Sequence, residues 1–372
     1  LSGPDLLVIG AGPWGLATSW AAAREGARVE LLDDGARPAA WVAAGMLGPW
    51  SEAADGEEDL HALMARAADA WPGFARALGA ASGEDPGYRA TGALLAAARP
   101  EHLAQVRRRL ATLAAWGAER PWLTGSALRR LEPGLGPAVS GGADLPDEHQ
   151  AEPRALLRAL HAACRAAGVR VRAARATALV RRDGRVRGAA VEGGEVAAGR
   201  VVLAAGWAAG RLADGVPVRP VKGQILRLRA VGGAPLPLAR TVRTPSVYLA
   251  PRDGEVVVGA TMEERADVHV TAAATHELLD EALQAAPELG ELELAEASAG
   301  RRPATLDGRP AIGEDPADGL VWAVGGYRHG VLLAPVAAEA ACAVALGRDL
   351  PEWARGLEPA RFAEREAACA SG

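Results

Sequence analysis

The sequence predicts an α/β fold: a Rossmann-like unit, delivered in three pieces, interleaved with a smaller α+β unit that carries an antiparallel sheet. Three observations predict it. Residues 5–33 read as strand, Gly-rich turn, helix and strand ("DLLVIG", "AGPWG", "LATSWAAAREG", "ARVELLD"). An apolar run, "RVVLAAG", ends at Gly206, and a strand, Gly-rich turn and helix occupy 320–346; short apolar runs of this kind suit buried parallel strands. At 218–262 the pattern changes to neighbouring β runs, "VRPVKGQILRLRA", "SVYLAPR" and "EVVVGATM", with Asp253-Gly254 as a turn. The first unit is expected to take 1–83, 151–215 and 300–372, and the second 84–150 and 216–299.

The intervening elements follow in order. Ala-rich helical spacing covers roughly 57–81, and "RPEHLAQVRRRLATLAAW" repeats it at 99–116. "EPRALLRALHAACRAAG" is framed as a helix by Pro153 and Gly168. Proline's missing N–H costs nothing in a first turn, and glycine tolerates the left-handed cap. Short β runs with an Asp183-Gly184 turn come next.

Composition excludes several function classes. With 372 residues the chain can bury two substantial cores. The net charge of −5 leaves no basic footprint for nucleic acid. Cys164, Cys342 and Cys369 are too widely spaced for a metal or disulfide pattern, so no metal is expected and a reducing compartment suits them. No basic flank or cleavable apolar segment stands before "DLLVIG", and "VLLAPVAAEAACAVALG" is too short to span a bilayer. A cytoplasmic protein without a membrane partner is the expectation. Alanine and arginine are used throughout, so rare residues inform more: Tyr88, Tyr248 and Tyr327, Met46, Met64 and Met262, and Lys222, the single lysine.

Gly10, Gly12 and Gly15 in "VIGAGPWGLA" have the G-x-G-x-x-G spacing. They permit a tight turn, a close backbone approach to a pyrophosphate, and its placement on a helix N-terminus. The following strand ends in Asp33, the acidic residue expected at a ribose hydroxyl, which favours FAD or NAD over NADP. "GGYRHGVLLAPVAAEAA" places a second Gly-rich turn before an apolar helix. The positive end of such a helix stabilises charge that develops on a reduced flavin, so FAD is the expected cofactor.

At this point the chain resembles the glycine oxidase and D-amino-acid oxidase flavoproteins, and most closely the glycine oxidases of thiamine biosynthesis. The resemblance rests on "VIGAGPWG", "AAGMLGPWSEA" (43–53), "PVKGQILRL" (220–228), "YLAPRDGEVVVGATMEE" (248–264), "GRRPATLDGRPAIG" (300–313) and "GGYRHGVLLAP" (325–335). It implies non-covalent FAD, since none of the cysteines lies where related sarcosine oxidases attach theirs. FAD contacts are implied at Pro13 and Trp14, at Asp33 and Asp34, and along Ala39, Ala40, Ala44, Gly45 and Met46. Thr177 would meet the adenine side through its backbone, with Gly206 beside the cofactor. Gly326, Tyr327, Arg328, His329, Gly330, Val331 and Leu332 would approach the isoalloxazine.

The resemblance also gives "GRRPA" a purpose. Arg302, directly before proline, would bind a substrate carboxylate, and Tyr248, in the strand opposite, would donate its hydroxyl to the same group. Arg301 would face the other way. Met46 and Met262 would be apolar walls, Arg328 a second carboxylate contact, and Lys222 structural. Arg243, Ser246, Gly326 and His329 depart from the family pattern, which leaves substrate size open. The implied reaction oxidises glycine, sarcosine or a small D-amino acid to an imino or 2-oxo acid with ammonia, dioxygen becoming hydrogen peroxide, in a homo-oligomer. Two alternatives stand beside it: a dehydrogenase passing electrons to a quinone or partner subunit, and a non-catalytic dinucleotide-binding regulator.

Overall fold

A computed structural model describes residues 3–363; Cys369 and the end of the expected 300–372 piece lie outside them. The fingerprint region folds as its periodicity requires. Leu6–Ile9 is a fully buried strand, Pro13–Arg24 a helix with proline in its first turn, and Val29–Asp33 the next strand. Gly26, in the left-handed region at φ 93°, closes the helix. These strands belong to a six-stranded sheet ordered Ala311–Glu314, Val321–Val324, Arg200–Leu203, Leu6–Ile9, Val29–Asp33 and Arg170–Ala173. All pairs are parallel except the first, which is antiparallel. Apolar faces of the helices Glu58–Ser82, Pro153–Ala166 and Ala334–Ala345 join this sheet's main core.

An eight-stranded sheet forms the other large layer. Its order is Glu293–Thr305, Val218–Arg229, Glu255–Gly259, Tyr248–Arg252, Thr241–Arg243, Ala93–Ala97, Gly141–Leu145 and Leu123–Thr124. It is antiparallel but for one pair: Thr241–Arg243 runs parallel to Ala93–Ala97, strands distant in sequence. The helix Ala272–Ala285 contributes Leu278, Ala282 and Ala285 to the core beneath it.

The expected domain bounds need correction. "GRRPA" lies within the strand Glu293–Thr305, which pairs with Val218–Arg229 through Thr305, with Arg302 opposite Val221. The boundary expected at 300 falls inside this ladder, because its hydrogen bonds continue past that residue. The divisions at 83/84 and 150/151 are also bridged, since Met46–Leu47, His149–Ala151 and Tyr88–Arg89 form one small sheet.

Candidate active site

A cavity of about 1360 Å³ lies between the carboxyl ends of the parallel strands and one face of the eight-stranded sheet. This is where an open α/β sheet binds ligands. The sequence-implied residues Gly10, Gly12, Pro13, Trp14, Asp33, Asp34, Ala39, Ala40, Ala44, Gly45, Met46, Thr177 and Gly206 all line it. So do Tyr248, Met262, Arg302 and the run Gly326 to Leu332.

Gly15 does not line it. A Cβ there would stand 1.9 Å from the Gly10 carbonyl oxygen, so this glycine lets the helix sit against the first strand; it acts through packing and not by contact with a ligand. Gly10 is strained for any other residue at φ 110°, with the Ala204 carbonyl 2.5 Å from a Cβ. At Gly12 the nearest protein atom to a Cβ is Pro38 at 3.8 Å, which leaves the open cradle that a pyrophosphate needs over the helix N-terminus. Asp33 accepts from Gly35 N at 2.9 Å, and Asp34 pairs with Arg175 at 3.1 Å. Thr177 spends its hydroxyl on the Ala190 carbonyl, so it would offer a ligand its backbone. The volume, the open glycine cradle and the acidic strand end fit an FAD. Cys164 and Cys342 are buried outside the cavity, their thiols pushed up to about 12 chiefly by burial, and neither is suited to covalent attachment.

The second Gly-rich turn is held from below by two indoles. Trp14 Nε1 donates to the Gly330 carbonyl and Trp71 Nε1 to the Leu332 carbonyl, each at 2.8 Å. The helix proper starts only at Ala334, one turn later than the glycines suggest. Trp14 also accounts for Gly326, since a Cβ there would lie 2.9 Å from the indole. His329 is buried and its pKa is driven down to about 4 by burial, against the pull of Glu52, so it is neutral at ordinary pH. Met262 sits at the rim, 57% exposed, where Tyr327 donates its hydroxyl to the sulfur. It is a lip of the cavity more than a wall.

Arg302 and Tyr248 meet by a route that strand adjacency does not give. Two strands, Val218–Arg229 and Glu255–Gly259, lie between theirs. Arg302 Nη1 donates to the carbonyls of Thr261 at 3.0 Å and Lys222 at 3.3 Å, which draws the guanidinium across Gly223. A Cβ on Gly223 would be 2.3 Å from it. Tyr248 lies across Gly259 in the same way, a Cβ there being 2.3 Å from the phenol oxygen. The two intervening strands carry glycine where a side chain would separate the pair. Arg301 turns to the other face and stacks over Trp207 at 4.1 Å, still beside the cavity. Lys222 is fully buried and binds Asp267 at 2.8 Å, which ties the 260–271 segment to the sheet, a structural role.

Sequence reasoning missed Glu52, although it lies in "AAGMLGPWSEA". It is buried at the cavity, 3.0 Å from Arg243 and 3.7 Å from Arg328. Burial raises its pKa, yet Arg243, Arg328, His329 and Arg109 together pull it down to about 2. Its chain neighbours carry no signal, since Glu52 opens the acid-rich stretch "EAADGEED", and its cationic partners come from three other segments. Deeper, Glu148 accepts from the backbone N–H groups of Trp50 and Ser51. Burial raises its pKa from 4.5 to about 7, those hydrogen bonds opposing and the Glu52 charge adding.

Glu148 therefore binds its proton more tightly in the folded chain. Its stabilisation is complete below pH ~4.5 and fades as pH rises through ~7, a contribution on the order of 3 kcal/mol. Over that window Tm of the wild type should fall more steeply than Tm of Glu148→Gln. Equal slopes would remove Glu148 from the account.

The model of the family described as FAD dependent oxidoreductase (DAO) matches residues 5–344. The bifunctional protein ThiO/ThiG of Synechocystis sp. is 33% identical over 369 residues, covering 96% of this chain and 54% of that protein. The chain spans about half the length of the three ThiO/ThiG relatives it matches. Glycine oxidase of Geobacillus kaustophilus is 31% identical over 344 residues, 89% of this chain and 90% of that one. A crystal structure of glycine oxidase from that organism superposes with TM-score 0.89 at 28% identity, over 96% of this chain and 98% of that chain. Iminodiacetate oxidase from Chelativorans sp. BNC1 superposes with TM-score 0.86 at 28% identity, over 95% and 98%.

Proposed function

Because the chain belongs to the family of FAD-dependent oxidoreductases, we propose that it is an amino-acid oxidase of the glycine oxidase type, acting on glycine, sarcosine or a small D-amino acid. The observation that carries this reading is the convergence of Arg302 and Tyr248 over Gly223 and Gly259 at the cavity. Bound without a covalent bond, FAD would supply the redox chemistry of amine oxidation, with dioxygen as the final electron acceptor and hydrogen peroxide as its product.

The chain's own groups do the positioning. Arg302, its Nη1 anchored on two carbonyls, offers its remaining N–H groups to the substrate carboxylate. The half-buried Tyr248 hydroxyl, whose pKa burial raises against the neighbouring arginines, stays protonated and donates to the same carboxylate. A carboxylate fixed at two points orients the Cα–H without a dedicated general base. Water hydrolyses the imine to the 2-oxo acid, releasing ammonia from a primary amine and methylamine from sarcosine; from glycine the acid is glyoxylate. A relative from Rhizobium etli bears the name "Putative thiamine biosynthesis oxidoreductase ThiO", which supports a place for that imine in thiamine biosynthesis.

The test is a visible spectrum followed by substrate under nitrogen. The purified protein should be yellow and release free FAD on acid precipitation. Glycine, sarcosine or D-alanine should bleach it, L-alanine should not, and air should restore the colour with peroxide. Bleaching by L-alanine alone would overturn the stereochemical reading. Bleaching without peroxide in air would favour a dehydrogenase.

A further inference from the structure

The sheet face that carries Arg302 and Tyr248 continues beyond them. Arg243 pairs directly with Tyr248, Tyr248 with Gly259, and Gly259 with Ile225. Arg302 pairs with Val221, an even number of residues along the strand from Ile225. Paired residues and every second residue share a face, so Arg302, Tyr248 and Arg243 all point to the same side. Tyr248 stands between two arginines. Arg243 is only one strand away from it, about 4.8 Å in backbone spacing.

This far wall holds more positive than negative charge. Arg243, Arg328 and Arg109 all act on the one carboxylate of Glu52. Glu148 is the other carboxyl nearby, and burial favours its neutral form. Arg243 donates Nε to Glu52 and Nη1 to the Thr244 carbonyl, while its Nη2 donates to no other described residue. Arg328 is 3.7 Å from Glu52, beyond a hydrogen bond, and both arginines line the cavity. Guanidinium N–H groups that face the cavity and have no acceptor among the described residues are placed to meet an anion there. Their fork suits a carboxylate.

We propose that Arg243 and Arg328 form a second anion subsite, and that the amines this protein binds best carry a second carboxylate on the far side of the nitrogen. This rests on the amino-acid oxidase reading for the first carboxylate at Arg302. Glu52 holds the two forks apart and in place. A substrate of this class spans the row, one carboxylate on Arg302 and Tyr248 and the other on Arg243.

The experiment separates binding from turnover. Holoprotein is titrated with thiodiacetate, a dicarboxylate with sulfur in place of the amine, and with (methylthio)acetate, which lacks the second carboxylate. The shift of the flavin spectrum is followed. Thiodiacetate should bind at least about tenfold tighter, a gain of ~1.4 kcal/mol, and the ratio should shrink several-fold in Arg243→Met and with added salt. Arg243→Lys should recover part of it. In parallel, the kcat/KM ratio of iminodiacetate to sarcosine should exceed one and fall in the same variant. A wild-type binding ratio near one overturns the subsite, and so does a ratio that both Arg243→Met and Arg328→Met leave untouched. Should Arg243→Met fail to fold, the wild-type ratio and Arg328→Met decide. If no amine bleaches the flavin, the oxidase reading fails while the titration still reports on the subsite.

Discussion

Arg302→Ala is expected to lower kcat/KM for glycine by roughly a hundredfold to a few thousandfold. Removing one partner of a buried charge pair costs about 3–5 kcal/mol, and each ~1.4 kcal/mol of lost transition-state binding is a factor of ten in rate. The guanidinium is set in place by the Thr261 and Lys222 carbonyls before any ligand arrives, so alanine removes a preorganised group. Arg302→Lys should recover only part, because an ammonium reaches a single point where the fork reaches two. FAD content and Tm should hold, since the side chain lies over glycine and not in a core cluster. Arg301→Ala is the control. Its loss is a stack on Trp207, worth about 0.5–1 kcal/mol, so activity should change by less than about fivefold. Equal kinetic losses in the two alanine variants would refute the assignment to Arg302.

Gly15→Ala should yield a destabilised protein that purifies with little flavin. The new Cβ meets the Gly10 carbonyl oxygen at 1.9 Å, its carbon at 3.1 Å and the Ala204 Cβ at 3.2 Å. Backbone cannot swing aside as a side-chain tip can, so the first helical turn must lift from the strand. Overpacking of this kind costs about 1–3 kcal/mol or more, and it displaces the N–H groups that would hold the pyrophosphate. FAD retention below about a tenth of wild type is expected, with a lower Tm of the apoprotein. Gly12→Ala separates the two effects. Its backbone is extended, at φ −75°, and its Cβ has room on the protein side, so apoprotein Tm should stay put while FAD binding weakens. An apoprotein Tm for Gly15→Ala equal to wild type would show that its role is not packing.

The separation between Gly12 and Gly15 marks how far local sequence carries. Strand, turn and helix at 5–33, the capped helix at Pro153–Ala166 and the closing strand and helix were legible, because periodicity, proline and glycine act within a few residues. The same locality picked out Gly10, Gly12 and Asp33, which all line the cavity. It also grouped Gly15 with them, since spacing alone does not tell a glycine that faces a ligand from one that faces a strand.

What only the tertiary structure decided is the arrangement at the proposed amine end of the site. Arg302 and Tyr248 meet because ladder register sets Gly223 and Gly259 between them, and register is fixed by whole strands, 12 residues in Val218–Arg229 and 13 in Glu293–Thr305. The parallel pair of Thr241–Arg243 with Ala93–Ala97 brings remote segments together. Glu52 finds Arg243 across 191 positions of chain, and neither residue's neighbours announce the other. The sequence by itself determined the elements and the cofactor class, because backbone preferences and hydrophobic period are local free energies. The substrate end waited on the fold, because a buried charge is tolerable only where distant segments bring its partner.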